Sequence, residues 1–204
     1  MPKQNGAIDP NLPNKLTLLR IVMIPFFVLF YELSGLGNNY LWALLVFALA
    51  SLTDLFAGKI ARKYHLISDF GKLMDPLADK VLVTAAMVCF VGDPRGLTPS
   101  WVVIAILARE FLVTSLRLLA ASKGVVLAAD KWGKYKTATT MIWICYHLLL
   151  LSGSYNSLLG GLGLSYQNGG LPLYLHYGLM GLSLFFTWYS GVNYLVKNKQ
   201  MFHN

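Results

Sequence analysis

The chain has 204 residues, of which 56% are hydrophobic and only 13% are charged, and its mean hydropathy is +0.55. Soluble domains carry about 25% charged residues, so this composition excludes an ordinary soluble domain and favours a membrane protein. A chain of this length that spans repeatedly has no room for a separate soluble domain. We therefore predict one domain over residues 1–204.

Apolar stretches long enough to cross a bilayer recur along the chain. A span needs about 20 mainly apolar residues, and the stretches that qualify lie at 16–33, 40–61, 76–91, 99–121, 137–152 and 173–196. The third and fifth are short, so we expect their helices to extend into the neighbouring polar residues. The sequence predicts an all-α membrane protein with six transmembrane helices.

The basic residues lie on one side of this topology. Lys3 and Lys15 precede the first stretch, and groups of Lys and Arg surround the second and fourth connections and follow the last stretch. The opposite connections hold Arg95 alone. Because cytoplasmic loops are enriched in Lys and Arg, both termini are predicted to be cytoplasmic in a multi-pass protein of the cell membrane. The net charge of +8 suits anionic lipid head groups. Its scatter among the spans argues against nucleic acid as a partner.

Acidic residues are concentrated at one place. Of the nine acidic residues, Asp54, Asp69, Asp75 and Asp79 fall at or between the facing ends of the second and third stretches. Clustered carboxylates repel one another, and a divalent metal neutralises them well because it takes several oxygens at once. Asp75 and Asp79 are four residues apart and share a helix face. The alternative is a solvated loop in which lysines pair with the aspartates.

A face of small residues follows Asp54 on the second stretch. Ala57, Gly58 and Ala61 share that face at helical spacing. Small side chains let a flat ligand or another helix approach the backbone closely, and Arg62, further along, could reach a phosphate. The same pattern would also form a simple helix-packing seam.

These residues together resemble the signature of the CDP-alcohol phosphatidyltransferase family, D-x2-D-G-x2-A-R-x8-G-x3-D-x3-D. Every spacing matches, and seven of the eight signature residues match in type. The matching residues are Asp54, Gly58, Ala61, Arg62, Gly71, Asp75 and Asp79.

The resemblance implies a chemistry and a set of roles. An alcohol attacks the lipid-side phosphorus of a CDP-linked lipid and CMP leaves, with two divalent ions (Mg²⁺ or Mn²⁺) at the site. Asp54, Asp75 and Asp79 would be metal ligands, and Asp79 would also act as the general base. The nucleotide of the CDP-lipid would be held by Asp54, Gly58, Ala61, Arg62 and Gly71. The family also forms homodimers with the active site facing the cytoplasm.

One signature position departs from the family. Ala57 stands where the second aspartate is expected, and the loss of a ligand should weaken the metal site severely. The chain is then either a naturally inactive relative or one changed deliberately at this position, and the intact remainder of the signature favours the second interpretation. Impaired catalysis is expected in both cases.

The acceptor is suggested by basic residues outside the signature. The run from Asn14 to Arg20 and the later Arg109, Arg117, Lys134 and Lys136 are similar to the phosphatidylglycerophosphate synthase branch. This implies CDP-diacylglycerol as donor and sn-glycerol 3-phosphate as acceptor, with the four later residues binding its phosphate. An arginine inside an apolar stretch needs a partner or a ligand, so Arg109 could instead pair with an aspartate or with Glu110. For the two lysines, the general positive-inside bias is an equally good explanation.

Other functions remain open at this point. The acceptor could be inositol phosphate or phosphatidylglycerol, and Ala57 makes a non-catalytic membrane relative conceivable. A transporter would need polar residues at mid-membrane in several spans, and only Arg109 and Glu110 approach this. The four histidines have no mutual ligand spacing, so no zinc site is expected: His65, His147, His176 and His203.

Overall fold

The computed structural model describes residues 11–33, 35, 37–64, 69–122, 131–152, 157 and 170–197; the side chains at 61, 62, 69–73, 75, 76, 79, 121, 122 and 131 are not included. The long helices within these ranges are α1 (Leu12–Glu32), α2 (Asn39–Tyr64), α3 (Asp69–Gly92), α4 (Ser100–Ser122), α5 (Lys131–Leu151) and α6 (Leu171–Lys197). The described ranges contain no β-strand, which confirms the all-α prediction.

Each predicted apolar stretch coincides with one of these helices. The expected extension of the third and fifth is also confirmed, because α3 starts at Asp69 and α5 at Lys131, well inside polar sequence. Two helical segments of the described chain, Leu12–Glu32 and Asn39–Ile60, are long and apolar enough to cross a membrane.

Proline and glycine mark the starts of two helices. Pro13 lies in the first turn of α1, and Pro172 in that of α6, where the missing N–H costs nothing and the fixed φ suits a helix. Gly170 immediately precedes α6 with φ of +74°, a left-handed conformation that favours glycine. These residues set where the polypeptide turns into the helices that carry the polar side chains.

The chain divides into two compact units, Met1–Ala86 and Met87–Asn204. In the first unit, α1 packs against α2 along a seam that alternates spacings of four and three residues, as in a coiled coil. Ring contacts between Phe27 and Phe47 (centroids 5.9 Å apart) and between Tyr31 and Tyr40 (5.3 Å) show that the helices run antiparallel. The buried positions of α1 are Pro13, Thr17, Arg20, Ile24, Phe27 and Tyr31.

In the second unit, α6 packs against both α4 and α5. The fully buried side chains include Trp143, Ile144 and Leu148 of α5. Polar side chains are buried as well, among them Arg109 of α4, Lys136 and Thr140 of α5, and Ser183, Thr187 and Ser190 of α6.

The outward faces of the helices are apolar. Large hydrophobic side chains such as Phe26, Leu49, Leu118 and Phe185 are about half exposed or more, whereas several polar side chains, including Arg20 and Arg109, are buried. A soluble protein rarely exposes contiguous apolar surface of this extent. This distribution is typical of helices whose outer faces contact lipid and whose interiors use small and polar residues to associate.

Candidate functional site

Three of the eight signature positions have described side chains: Asp54, Ala57 and Gly58, all on α2. The Asp54 carboxylate is 40% exposed, and Ala57 is 2% exposed. For the other predicted positions the backbone is helical, within α2 for Ala61 and Arg62 and within α3 for Gly71, Asp75 and Asp79. Their side chains lie outside the described residues, so their convergence on Asp54 stays a prediction.

Asp54 has a partner that the sequence analysis missed. Arg20 of α1 is completely buried, and its Nη1 lies 2.8 Å from Asp54 Oδ1. The contact is close, but its geometry is not that of a hydrogen bond, and none of the three guanidinium nitrogens makes a hydrogen bond within the described chain. A buried arginine in this state is costly unless charge compensates it, so Asp54 is its counter-ion.

Ala57 lies on the α1–α2 seam. Ala43, Phe47, Ala50 and Ala57 are the buried positions of α2, and Asp54 fills the remaining step of the same four–three repeat. The packing-seam interpretation of this face is therefore correct for Ala57. It does not compete with the functional interpretation, because the seam itself carries Asp54.

The described part of the site fits a divalent ion only in part. Asp54 is a hard oxygen donor of the kind that Mg²⁺ and Mn²⁺ prefer, and its carboxylate is partly accessible. Ala57 offers a methyl group where a second carboxylate would stand. Over the side chains that are described, no three His, Cys, Asp or Glu residues come together as a metal site.

A second polar cluster lies within the Met87–Asn204 unit, and we call it the Arg109 cluster: Arg109, Glu110, Lys136 and Ser190. Arg109 Nη1 donates to Glu110 Oε1 (2.8 Å) and Nη2 donates to Ser190 Oγ (2.7 Å). Lys136 Nζ lies 2.7 Å from the same Glu110 oxygen. Arg109 and Lys136 are each 9% exposed. One carboxylate thus holds two buried cations, and the cluster keeps a net positive charge.

Helix α6 approaches this cluster closely at a glycine. A Cβ added at Gly191 would lie 3.0 Å from Arg109 Cγ and 3.2 Å from Nε. Ser190 Oγ donates to the Thr187 carbonyl (3.0 Å) while it accepts from Arg109. Arg109 Nε has no hydrogen-bond partner in the described structure. The arginine is therefore held at its two terminal nitrogens and keeps one buried donor free.

The other predicted acceptor residues lie elsewhere. Arg117 is exposed, and its Cζ is 5.4 Å from the ring centroid of Tyr194. Lys134 is also exposed, as expected two residues from the buried Lys136 on a helix, about 200° around the axis. The structure thus unites Arg109 and Lys136 and leaves Arg117 and Lys134 outside the cluster. The pairing of Arg109 with Glu110, the alternative raised by the sequence, is present.

Two histidines meet that sequence spacing did not connect. The rings of His147 and His176 have centroids 4.9 Å apart, and His147 stacks on Phe90 at 3.8 Å. His176 Nε2 is 3.2 Å from the Leu97 carbonyl oxygen. Among the described residues, no third metal ligand joins them.

Comparison with protein families decides the classification. The family model of CDP-alcohol phosphatidyltransferases matches residues 10–189, which is most of the chain and includes the signature and every member of the Arg109 cluster except Ser190. The chain belongs to the CDP-alcohol phosphatidyltransferase family. Membership confirms the resemblance drawn from the signature, although the match does not explain Ala57.

Similar curated proteins share one named activity. A Bacillus subtilis (strain 168) CDP-diacylglycerol–glycerol-3-phosphate 3-phosphatidyltransferase is 43% identical over 150 residues, covering 68% of this chain and 77% of its own. The protein of that name from Rickettsia prowazekii (strain Madrid E) is 42% identical over 148 residues, covering 72% and 80%. A probable phosphatidylglycerophosphate synthase of Mycobacterium tuberculosis (strain H37Rv) is 42% identical over 150 residues, covering 70% and 68%.

Proposed function

We propose that this chain is built to transfer a phosphatidyl group from CDP-diacylglycerol to sn-glycerol 3-phosphate, giving phosphatidylglycerophosphate and CMP. The named relatives carry out or are assigned this reaction. The observation that carries the proposal is the Arg109 cluster, in which two buried cations share one carboxylate inside an apolar helix bundle. Such a surplus of buried positive charge is expensive unless it binds an anion.

The donor site is assigned to the signature. Asp54, Gly58, Ala61, Arg62 and Gly71 would hold the nucleotide of CDP-diacylglycerol, with Asp54, Asp75 and Asp79 as metal ligands. When bound, Mg²⁺ or Mn²⁺ would neutralise the pyrophosphate and stabilise the leaving CMP. Gly58 would let the nucleotide approach the α2 backbone, and Arg20 pairs with Asp54 on the α1–α2 seam. The lipid chains would stay in the bilayer beside the apolar helix faces.

The acceptor is oriented by its phosphate. Arg109 and Lys136 would bind the phosphate of glycerol 3-phosphate. Arg117 and Lys134, outside the cluster, would contribute only by attracting the anionic acceptor to it. Its hydroxyl oxygen then attacks the lipid-side phosphorus, and the bond from that phosphorus to the CMP oxygen breaks. Asp79 takes the hydroxyl proton. A carboxylate beside metal ions would be a weak base.

This assignment is tested by product identity. In the Ala57→Asp variant, where the signature is complete, CDP-diacylglycerol and glycerol 3-phosphate should give CMP and phosphatidylglycerophosphate. Inositol phosphate and phosphatidylglycerol should give little product, because the Arg109 cluster would be used only by an acceptor phosphate of the right reach. Lipid products are identified by mass spectrometry. Faster turnover with either alternative acceptor would replace the acceptor proposed here, and binding without turnover would favour a non-catalytic relative.

Membrane topology follows from the same proposal. We propose six transmembrane helices in the cell membrane, cytoplasmic termini, a cytoplasmic active site and a homodimer. In a background without Cys89 and Cys145, a cysteine introduced by Lys134→Cys should resist an impermeant thiol reagent in intact cells and react after permeabilisation. Arg95→Cys, on the opposite connection, is the matched control and should react in intact cells. The reverse pattern would invert the topology.

The close approach of α6 to Arg109 gives a graded test of the acceptor site. Gly191→Ala places a Cβ 3.0 Å from Arg109 Cγ, so the arginine must move by a few tenths of an ångström. In the Ala57→Asp background the KM for glycerol 3-phosphate should rise about tenfold. This corresponds to a loss of roughly 1.4 kcal/mol of binding free energy when Arg109 is displaced. The KM for CDP-diacylglycerol should not change.

Gly178→Ala and Gly181→Ala are matched controls on the same helix. A Cβ at either position meets nothing within 4 Å, and alanine is more favourable than glycine in a helix. Both should leave the two KM values unchanged. Equal effects of all three substitutions would show that Gly191 acts through helix stability and not through Arg109.

A further inference from the structure

Arg20 is a fully buried cation whose guanidinium N–H donors have no hydrogen-bond acceptor in the described structure. Among the described side chains, its close acidic contact is Asp54 Oδ1 at 2.8 Å, on a carboxylate that is itself 40% exposed. Its Nε, Nη1 and Nη2 make no hydrogen bond in the described chain. A guanidinium presents five N–H donors in a fixed fork, and leaving them unpaired away from water is costly.

The seam shows where a second acceptor would stand. The antiparallel contacts Phe27–Phe47 and Arg20–Asp54 fix the register of α1 against α2. In that register, position 57 lies opposite Thr17, one step beyond Arg20 toward the N-terminal end of α1. The step is about 4.5 Å along the axis at three residues. Ala57 is buried there, at 2% exposure.

We propose that Arg20 is the shared counter-ion and positioning residue for carboxylates at positions 54 and 57. With Ala57 in this chain, part of its guanidinium is left without an acceptor. An aspartate at 57 would lie on the same helix face as Asp54 and within reach of the free end of the guanidinium. Arg20 would then bind both carboxylates and fix their orientation on the same face of α2. The ion pair is independent of the proposed function, whereas the positioning role rests on it.

The expected effect of a second carboxylate on stability depends on Arg20. Adding a carboxylate one turn from Asp54 should destabilise the metal-free protein by repulsion, because like charges at this spacing on a helix are unfavourable. If Arg20 has unused guanidinium donors, the added carboxylate instead accepts hydrogen bonds from them and is stabilised. The sign of the change in stability therefore separates the two cases without any measurement of activity.

The test is a double-mutant cycle in detergent with EDTA, using full-length protein. Ala57→Asp should raise Tm by about 3 °C or more with Arg20 present, on the scale expected for roughly 1 kcal/mol in a chain of this size. With Arg20→Met, it should lower Tm. Ala57→Asn, of similar size but neutral, should give less than half the rise. If Ala57→Asp lowers Tm in the protein that retains Arg20, the counter-ion role is overturned, whether or not the Arg20→Met proteins fold.

The positioning role has its own readout in Mn²⁺ binding. Arg20→Lys keeps a positive charge but lacks the planar fork that can hold two carboxylates. In the Ala57→Asp background it should weaken Mn²⁺ binding about tenfold, in the range found when a group that orients a metal ligand is lost. Unchanged or tighter binding would show that Arg20 does not orient the carboxylates. Neither experiment needs turnover, so their failure is distinguishable from failure of the proposed transferase activity.

Discussion

Ala57→Asp is expected to raise metal-dependent CMP release from CDP-diacylglycerol with glycerol 3-phosphate by about a thousandfold or more. The substitution adds an anionic oxygen ligand on the α2 face that carries Asp54. A bound metal stabilises the charge that develops in the transition state by several kcal/mol. About 4 kcal/mol corresponds to three orders of magnitude in rate. The chain with Ala57 should be nearly inactive, yet it should still bind CDP-diacylglycerol through the remaining nucleotide-binding residues.

The measurement compares both purified proteins across a titration of Mg²⁺ and Mn²⁺. Ala57→Asn is the matched control, since its amide has a similar shape but no charge, and it should recover little activity. Asp54→Asn in the Ala57→Asp background should abolish the gain. If Ala57→Asp is as silent as the original chain while equally well folded, the phosphatidyltransferase interpretation of this site fails.

The helices were predictable because lipid imposes a simple rule. Every backbone polar group must be satisfied within the span, so an apolar run of sufficient length becomes a helix, and α1 and α2 follow this directly. The polar starts of α3 and α5 could be anticipated only as extensions of short runs. The length of an apolar run does not specify the residue at which a helix begins in the polar sequence before it.

Asp54 could be singled out from the sequence, whereas its partner Arg20 could not. Asp54 stands out because a carboxylate in an apolar run has few uses. Arg20 also lies within an apolar run, but its pairing depends on the register of α1 against α2. The four–three spacing of Thr17, Arg20 and Ile24 was the available signal, since it places Arg20 on the buried seam and not at the membrane surface.

The acceptor residues show the same limit. Lys134 and Lys136 lie on different sides of α5, and sequence periodicity cannot tell which side faces α4 and α6 when apolar residues surround the helix. Ser190 is an ordinary small polar residue in an apolar run, as are Ser183 and Thr187, so nothing distinguished it before its contact with Arg109 was known. Packing decides which polar residues converge.

The second large effect is expected at Arg109. In the Ala57→Asp background, Arg109→Ala should raise the KM for glycerol 3-phosphate by about a hundredfold, because loss of a buried charged partner costs about 2–5 kcal/mol. The KM for CDP-diacylglycerol should change less than threefold. Arg117→Ala should have a smaller effect on the acceptor, since its side chain is exposed and lies over the Tyr194 ring.

The fold should tolerate the loss of Arg109 because Glu110 keeps a second cation. Lys136 Nζ remains 2.7 Å from Glu110 Oε1, so no carboxylate is left buried without a partner, the situation that destabilises most. Thermal stability in detergent should therefore change far less for Arg109→Ala than for Glu110→Ala, which would leave two buried cations unpaired. Initial-rate kinetics with each substrate varied in turn separate binding from structure. Equal losses toward both substrates, or a collapse in Tm for Arg109→Ala, would make Arg109 a structural residue and remove the anion-binding role from the cluster.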